Sequence, residues 1–253
     1  MSDFQALTEN DFLGGALKLT QPVDGYRAGS DPVLLAASVP AQSGQSVLDV
    51  GCGIGTALYC LGKRVSGLTL TGVEVQSAYS ALAVKNALSN DLEAQIHTGD
   101  IQALPPELRN QTFDHVITNP PYFKAGAGKP SQDPSKELAF RGSVGLTDWV
   151  QHCVKRVAPK GHLSIIQRIE RLPEVIAAQY GRMGSIKVIP FSARQGRKPH
   201  VAIIQSQKNG RGDFVMHAPF VLHDGLAHSG DKDDYSDAAK QVLRGGSALT
   251  IKD

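Results

Sequence analysis

Apolar runs of strand length alternate along the chain with stretches of helical spacing. The runs Ser46–Val50 (SVLDV), Leu68–Val75 (LTLTGVEV), Ala94–Thr98 (AQIHT), Phe113–Thr118 (FDHVIT) and His162–Gln167 (HLSIIQ) predict five strands. Lys187–Phe191 (KVIPF) and Val201–Gln205 (VAIIQ) predict two more. Helical periodicity fills residues 55–65, 76–89, 147–158 and 171–182. Strands that alternate with helices make a mostly parallel sheet with helices on both faces. The last two strands are joined by SARQGRKPH, which has no helical stretch, so they are expected to pair antiparallel at the sheet edge.

The two ends read differently. Lys18–Leu19 and Pro22–Val23 look like short extended pieces. Ser30 suits a helix N-cap, and Asp31 and Pro32 suit a first turn, so a helix is expected to start near Asp31. The organisation that follows is an N-terminal extension over 1–45 packing on a ligand site, a core over 46–207, and a polar tail over 208–253. Within the tail, Ser236–Arg244 could form a short helix. Lys124–Ser135 (KAGAGKPSQDPS) follows a strand end directly and suits a loop closing over a substrate.

Composition narrows the class. With 253 residues, 41% hydrophobic and 20% charged, the chain can bury a full core, which excludes disordered, collagen-like and coiled-coil proteins. Cys52, Cys60 and Cys153 form no C-x-x-C pair and the eight His show no ligand spacing, so neither a disulfide framework nor a metal is expected. No apolar run approaches the roughly 20 residues that span a bilayer. The N-terminus MSDFQALTEN has no basic region followed by an apolar stretch, so a cytoplasmic protein without a membrane partner is expected. Charge is unevenly spread. Val154 to Gly212 carries 12 Lys or Arg against Glu170 and Glu174, whereas the first 45 residues carry five acids against Lys18 and Arg27. A basic segment in a near-neutral chain suits a polyanion.

The chemistry sits at strand ends. The first core strand ends LDVGCGIGT, with Asp49 followed by Gly51, Gly53 and Gly55 and then a helix. Such a turn lets a ligand lie against the backbone, with helix N–H groups directed at it. A nicotinamide site wants G-x-G-x-x-G; here the third Gly comes one residue early. Glu74 ends the second strand, where a carboxylate can accept from both hydroxyls of a ribose. Asp100 follows the third strand, where it can accept from an adenine amino group. Together they fit an adenosine-bearing ligand held without a pyrophosphate. The fourth strand ends in Asn119-Pro120-Pro121-Tyr122. A planar amino nitrogen is a poor nucleophile, and a site activating one must hold both of its N–H donors. Asn119 and the Pro120 carbonyl can accept them, Pro121 restrains Pro120, and Tyr122 offers a stacking face.

LDVGCGIG, Glu74, Asp100 and NPPY resemble the class I S-adenosylmethionine-dependent methyltransferases that modify amino groups. The stretch QPVDGYRAGSDPVLLAA at 21–37 is similar to the bacterial tRNA(Val) adenine-N6-methyltransferases. The resemblance runs from about Leu13 to Gln207. It implies a Rossmann-like α/β fold, here a seven-stranded mostly parallel sheet with an antiparallel edge strand. It implies S-adenosylmethionine as cofactor and RNA, tRNA in particular, as partner. Gly51, Cys52 and Gly53 would pack on the cofactor's methionine part, with Asp49 beneath. Glu74 would bind its ribose and Asp100 its adenine. Arg27, Gly29, Ser30 and Asp31 would wall the site. Asn119, Pro120, Pro121 and Tyr122 would hold the amine, with Phe123 as a second apolar surface. Arg194, Arg197 and Lys198 would form a basic loop for RNA. The NPPY motif also serves methyltransferases of DNA adenine, guanine-N2 and protein glutamine. A helical N-terminal domain, usual in the glutamine enzymes, is not expected of this N-terminus.

Overall fold

The structure is a computed structural model that describes residues 4–122, 144–225 and 234–251. The chain opens with a hairpin, β1 (Leu7–Phe12) paired antiparallel with β2 (Leu17–Pro22). Helix α1 (Ser30–Ser38) leads into alternating strands and helices. These are β3 (Ser46–Val50), α2 (Thr56–Arg64), β4 (Thr69–Glu74), α3 (Ser77–Ser89), β5 (Ala94–Thr98), α4 (Pro106–Arg109) and β6 (Phe113–Thr118). The second half holds α5 (Leu146–Arg156), β7 (Val157–Arg168), α6 (Leu172–Ala178), β8 (Met183–Ser192) and β9 (Val201–Lys208). Two short strands, β10 (Val215–Met216) and β11 (Phe220–Val221), and helix α7 (Asp237–Leu243) complete it.

The main sheet runs β5-β4-β3-β6-β7-β9-β8, with β10 and β11 both pairing parallel to β8. This is the mostly parallel sheet that the alternating pattern predicts. Only its edge differs. β9 pairs antiparallel with both β7 and β8, so the antiparallel strand lies inside β8 rather than at the margin, and β10 and β11 raise the strand number to nine. Two-residue strands carry too few residues to leave a periodic signal.

Side chains alternate across the sheet because successive Cβ atoms point to opposite faces. Val47, Ile117, Ile166, Ile189 and Ile203 pack with α1, α2, α3 and α7. Their neighbours Leu48, Val116, Ile165, Val188 and Ile204 pack with α4, α5 and α6. Burying each such side chain contributes about 1.5–3 kcal/mol.

The N-terminal segment departs from the expectation in two ways. β1 reads LTENDF, polar on both faces, so no alternation marked it as a strand. It exists because β2 pairs with it, and β2 in turn is held by α3. The side chains of Asn86 and Asn90, one helical turn apart, imitate a neighbouring strand. Thr20 N donates to Asn86 Oδ1 at 2.8 Å and Asn86 Nδ2 donates to Thr20 O at 3.0 Å. Asn90 does the same for Lys18, at 2.9 and 2.7 Å. Secondly, Ser30 is not the N-cap of α1. That position belongs to Gly29, and no side-chain cap bond forms.

The C-terminal stretch is less tail-like than its polarity suggested. Ser236 caps α7 by accepting from Ala239 N at 3.2 Å, and Leu249 N donates to Ala37 O at 2.8 Å. Among the described residues, no helix is long and apolar enough to cross a membrane.

Candidate active site

The strand order reverses between β3 and β6, which puts a crevice at their carboxyl ends. Both chemical motifs leave the sheet there. Val50 is in register with Thr118, so the glycine turn and Asn119 begin side by side.

The turn is tied to β4 by its own backbone. Gly51 N and Cys52 N both donate to Val73 O, at 2.8 and 3.0 Å. Gly51 has φ +71°, and a Cβ there would stand 3.0 Å from the Trp149 indole, so both backbone and space require glycine. Gly53 N donates to Glu74 Oε2 at 2.9 Å, and Gln76 N donates to Oε1 at 2.9 Å. Burial raises the Glu74 pKa and these amide bonds oppose the rise. Each carboxylate oxygen keeps a lone pair beyond those bonds.

Asp49 is 2% exposed. Burial first, and the Glu74 charge second, push its pKa up to about 7, while the Leu58 backbone opposes the shift. Leu58 lies in the first turn of α2, whose N-cap is Gly55 without a side chain, so Asp49 supplies negative charge where the helix dipole favours it. The Cys52 thiol is raised well above its ordinary value by burial, then by Asp49 and Glu74, and stays protonated. Asp100 is half-buried and spends Oδ1 on Gln102 N at 2.8 Å, capping a short turn.

In the NPPY motif Asn119 is half-buried, Pro120 buried, Pro121 exposed and Tyr122 half-buried. Asn119 Nδ2 lies 3.4 Å from the Tyr26 hydroxyl oxygen. The Tyr122 hydroxyl donates to Asp31 Oδ2 at 2.5 Å. Arg168 Cζ lies 5.7 Å from the centre of the Tyr122 ring. Trp149 Nε1 donates to Thr118 Oγ1 at 3.0 Å, and Thr118 donates on to Val50 O at 2.7 Å, joining α5, β6 and β3 beneath the crevice.

Several expected residues are placed elsewhere. Arg27 turns its guanidinium to the hairpin, donating to Thr8 Oγ1 at 3.0 Å, Pro22 O at 2.6 Å and Asn10 Oδ1 at 2.9 Å. It braces the extension instead of lining the turn. Gly29 is exposed and Ser30 half-buried, and Asp31 is engaged with the NPPY tyrosine. Arg194 is paired with Asp234 and with the Asp224 carbonyl, which removes its charge from the basic loop, whereas Arg197 and Lys198 are exposed. Phe123 and the loop 124–135 lie outside the described residues.

The basic segment is also divided in space. β7 and β8 start at the same end of the sheet and β9 finishes there, so Lys155, Arg156, Lys160, Arg182 and Lys208 gather opposite the crevice. Arg156 there binds the Leu108 and Gln111 carbonyls, and Lys208 the Val154 carbonyl at 2.6 Å. Arg168, Arg197 and Lys198 lie toward the crevice end. The sequence pattern does not single out Tyr26, Trp149 or Arg168 as site residues. Arg168 ends the strand beside β6, which is the signal that could have found it.

The site suits an adenosine-bearing cofactor. Gly51 leaves a cradle that a Cβ would crowd, Glu74 and Asp100 present acceptors at neighbouring strand ends, and the buried Thr56 hydroxyl, just past the turn, has no hydrogen-bond partner among the described residues. Among the described residues no cluster of His, Cys, Asp or Glu could hold a metal.

Comparison with known proteins agrees. The family described as methyltransferase small domain matches residues 27–137, which include the glycine turn and NPPY. A tRNA1(Val) (adenine(37)-N6)-methyltransferase from Aeromonas salmonicida is 29% identical over 204 residues, 76% of this chain and 83% of that protein. One of the same name from Porphyromonas gingivalis is 29% identical over 66% of each chain. The crystal structure of a predicted O-methyltransferase from Agrobacterium tumefaciens superposes with TM-score 0.69 at 21% identity, covering 87% of this chain and 98% of that one. A Thermus thermophilus 16S rRNA N2 G1207 methyltransferase in complex with AdoMet and guanosine gives TM-score 0.55 at 21% identity, over 81% of this chain and 50% of that one. This chain is similar to the methyltransferase small-domain family over residues 27–137 and has the fold of the class I methyltransferases.

Proposed function

We propose that the protein methylates N6 of an adenine in tRNA, an anticodon-loop adenosine. The observation that carries this reading is the placement of Asn119-Pro120-Pro121-Tyr122 beside the glycine turn, at the ends of adjacent strands. The relatives named as tRNA adenine-N6-methyltransferases support the choice of acceptor.

When bound, S-adenosylmethionine supplies an activated methyl on a sulfonium. Glu74 holds the ribose of the cofactor, Asp100 its adenine, and the backbone around Gly51 and Gly53 its methionine part. Asn119 Oδ1 accepts one N–H of the target amine and the Pro120 carbonyl the other, which favours a pyramidal nitrogen with its lone pair directed outward. The long Asn119 contact to Tyr26 uses the amide NH₂, so Oδ1 is the end left to face the substrate. The Tyr122 ring stacks the base. Most of the rate comes from this alignment. An anticodon-loop base is unpaired, so drawing it into the site costs little. Arg197, Lys198 and Arg168 meet the phosphates; Arg194 and the cations at the far end do not.

The test is incubation with labelled S-adenosylmethionine and, separately, tRNA, ribosomal RNA, DNA and protein, followed by mass spectrometry of the labelled product. N6-methyladenosine from tRNA is expected. Label confined to protein, or to guanosine, would overturn the reading.

A further inference from the structure

We propose that Asp31 is a positioning residue of the amine-holding motif, fixing the Tyr122 ring against which the base lies. The inference deepens the proposed function and rests on it. The family resemblance implies a place for Asp31 in the wall around the cofactor. In the structure its carboxylate is committed across the crevice, with Oδ2 2.5 Å from the Tyr122 hydroxyl. Burial, and then the Asp31 charge, raise the pKa of that hydroxyl far above the ordinary tyrosine value, so it remains a donor to the carboxylate. A hydrogen bond to an ionised acceptor is roughly twice as strong as a neutral one. It stops the ring from swinging at its outer end. Arg168 lies over one face of the same ring, 5.7 Å from its centre. With the hydroxyl pinned and one face under a guanidinium, the opposite face is held as a plane for a nucleobase.

Asp31 can do this because its own support is rigid. It sits in the first turn of α1, where a negative charge is favoured by the helix dipole without help from a ligand. The residues after it, Pro32 to Ala37, are all buried. The chain leading to it is fixed at two points: Tyr26 N donates to the Tyr79 hydroxyl at 2.9 Å, and Ala28 N donates to Gln21 Oε1 at 3.0 Å. A functional side chain on such a base holds its geometry closely enough to matter, since misplacement of about 1 Å can cost 10²-fold in rate. The N-terminal hairpin and α1 thereby become part of the acceptor site.

The two roles for Asp31 give opposite kinetic signatures. Turnover at saturating cofactor and RNA is measured for wild type, Asp31→Ala, Asp31→Asn, Tyr122→Phe and the double variant Asp31→Ala/Tyr122→Phe. Affinity for S-adenosylmethionine is measured on each by calorimetry without RNA. For a positioning residue, Asp31→Ala lowers kcat by at least about tenfold while cofactor affinity stays within about twofold. Asp31→Asn keeps most of the rate, because its amide oxygen still accepts. Tyr122→Phe loses as much as Asp31→Ala, and the double variant loses no more than either single one. Weakened cofactor binding with kcat preserved in Asp31→Ala would return the residue to the cofactor wall and overturn the proposal. So would unchanged turnover, or losses that multiply in the double variant. If Asp31→Ala unfolds, Tyr122→Phe decides: a wild-type rate overturns the inference. All arms are ratios to wild type on the amine it methylates. Failure of the tRNA assignment therefore shows as a different wild-type product and leaves the ratios readable.

Discussion

The two halves of the crevice are held by different means. The half proposed for the cofactor, at the ends of β3 and β4, is closed by near neighbours: Gly51, Cys52 and Gly53 bond to Val73 and Glu74 through their own backbone amides. The half proposed for the acceptor amine, at the ends of β6 and β7, is held by side chains from across the chain. Asp31 reaches Tyr122 over 91 residues and Tyr26 reaches Asn119 over 93. The first half is a local design and tolerates change elsewhere. The second depends on the N-terminal hairpin and helix staying docked, so lesions far from the chemistry can impair it.

Experiments can separate the halves. The largest effect is expected from Glu74→Ala, which removes the proposed ribose acceptor and leaves the Gly53 and Gln76 amides without their partner. Cofactor affinity should fall roughly hundredfold, about 3 kcal/mol, as read by calorimetry. Unchanged affinity would detach Glu74 from the cofactor. Next, Gly51→Ala forces a side chain into positive φ and toward Trp149, at a cost of about 1–3 kcal/mol. Melting should drop by several degrees; a variant that melts like wild type would remove the demand for glycine there.

A subtler effect is tied to Asp49. Its folded pKa of about 7 lies above the ordinary carboxylate value, so the folded state binds the proton more tightly than the unfolded chain. The stability this contributes is present below about pH 4 and is lost as pH rises through about 7. Asp49→Asn should flatten the dependence of melting on pH across that window, leaving the portion that comes from the similarly raised Glu74. An equally steep curve would contradict the account. The smallest effect contrasts the two ends of the basic segment. Arg197→Ala should reduce the salt slope of RNA binding by about one, with Lys160→Ala leaving it unchanged. Equal slopes for both variants would mean that the far end also touches RNA.

This contrast explains what could be read from the sequence. β3, β5 and β6 have the bounds that their apolar runs predict, and the glycine turn, Glu74 and NPPY fall together because parallel strands bring their ends to one edge. Spacing records local geometry of this kind. It does not record partners. The resemblance puts Arg27 in the wall of the site and Arg194 in a basic loop, yet one is spent on the hairpin and the other on Asp234. β1 carries no pattern of its own because its order comes from β2, and β2 leans on Asn86 and Asn90 across more than 60 residues of chain. The antiparallel strand lies inside β8 because strand order is a tertiary property.

The central claim is that cofactor binding and amine activation belong to separate, adjacent halves of one crevice. It is tested most directly on Asn119→Ala, by measuring S-adenosylmethionine affinity and N6-methyladenosine yield from tRNA on the same preparation. The account predicts affinity within about twofold of wild type and loss of product by at least about a hundredfold. Product formed at the wild-type rate, or affinity and product lost together, would contradict it.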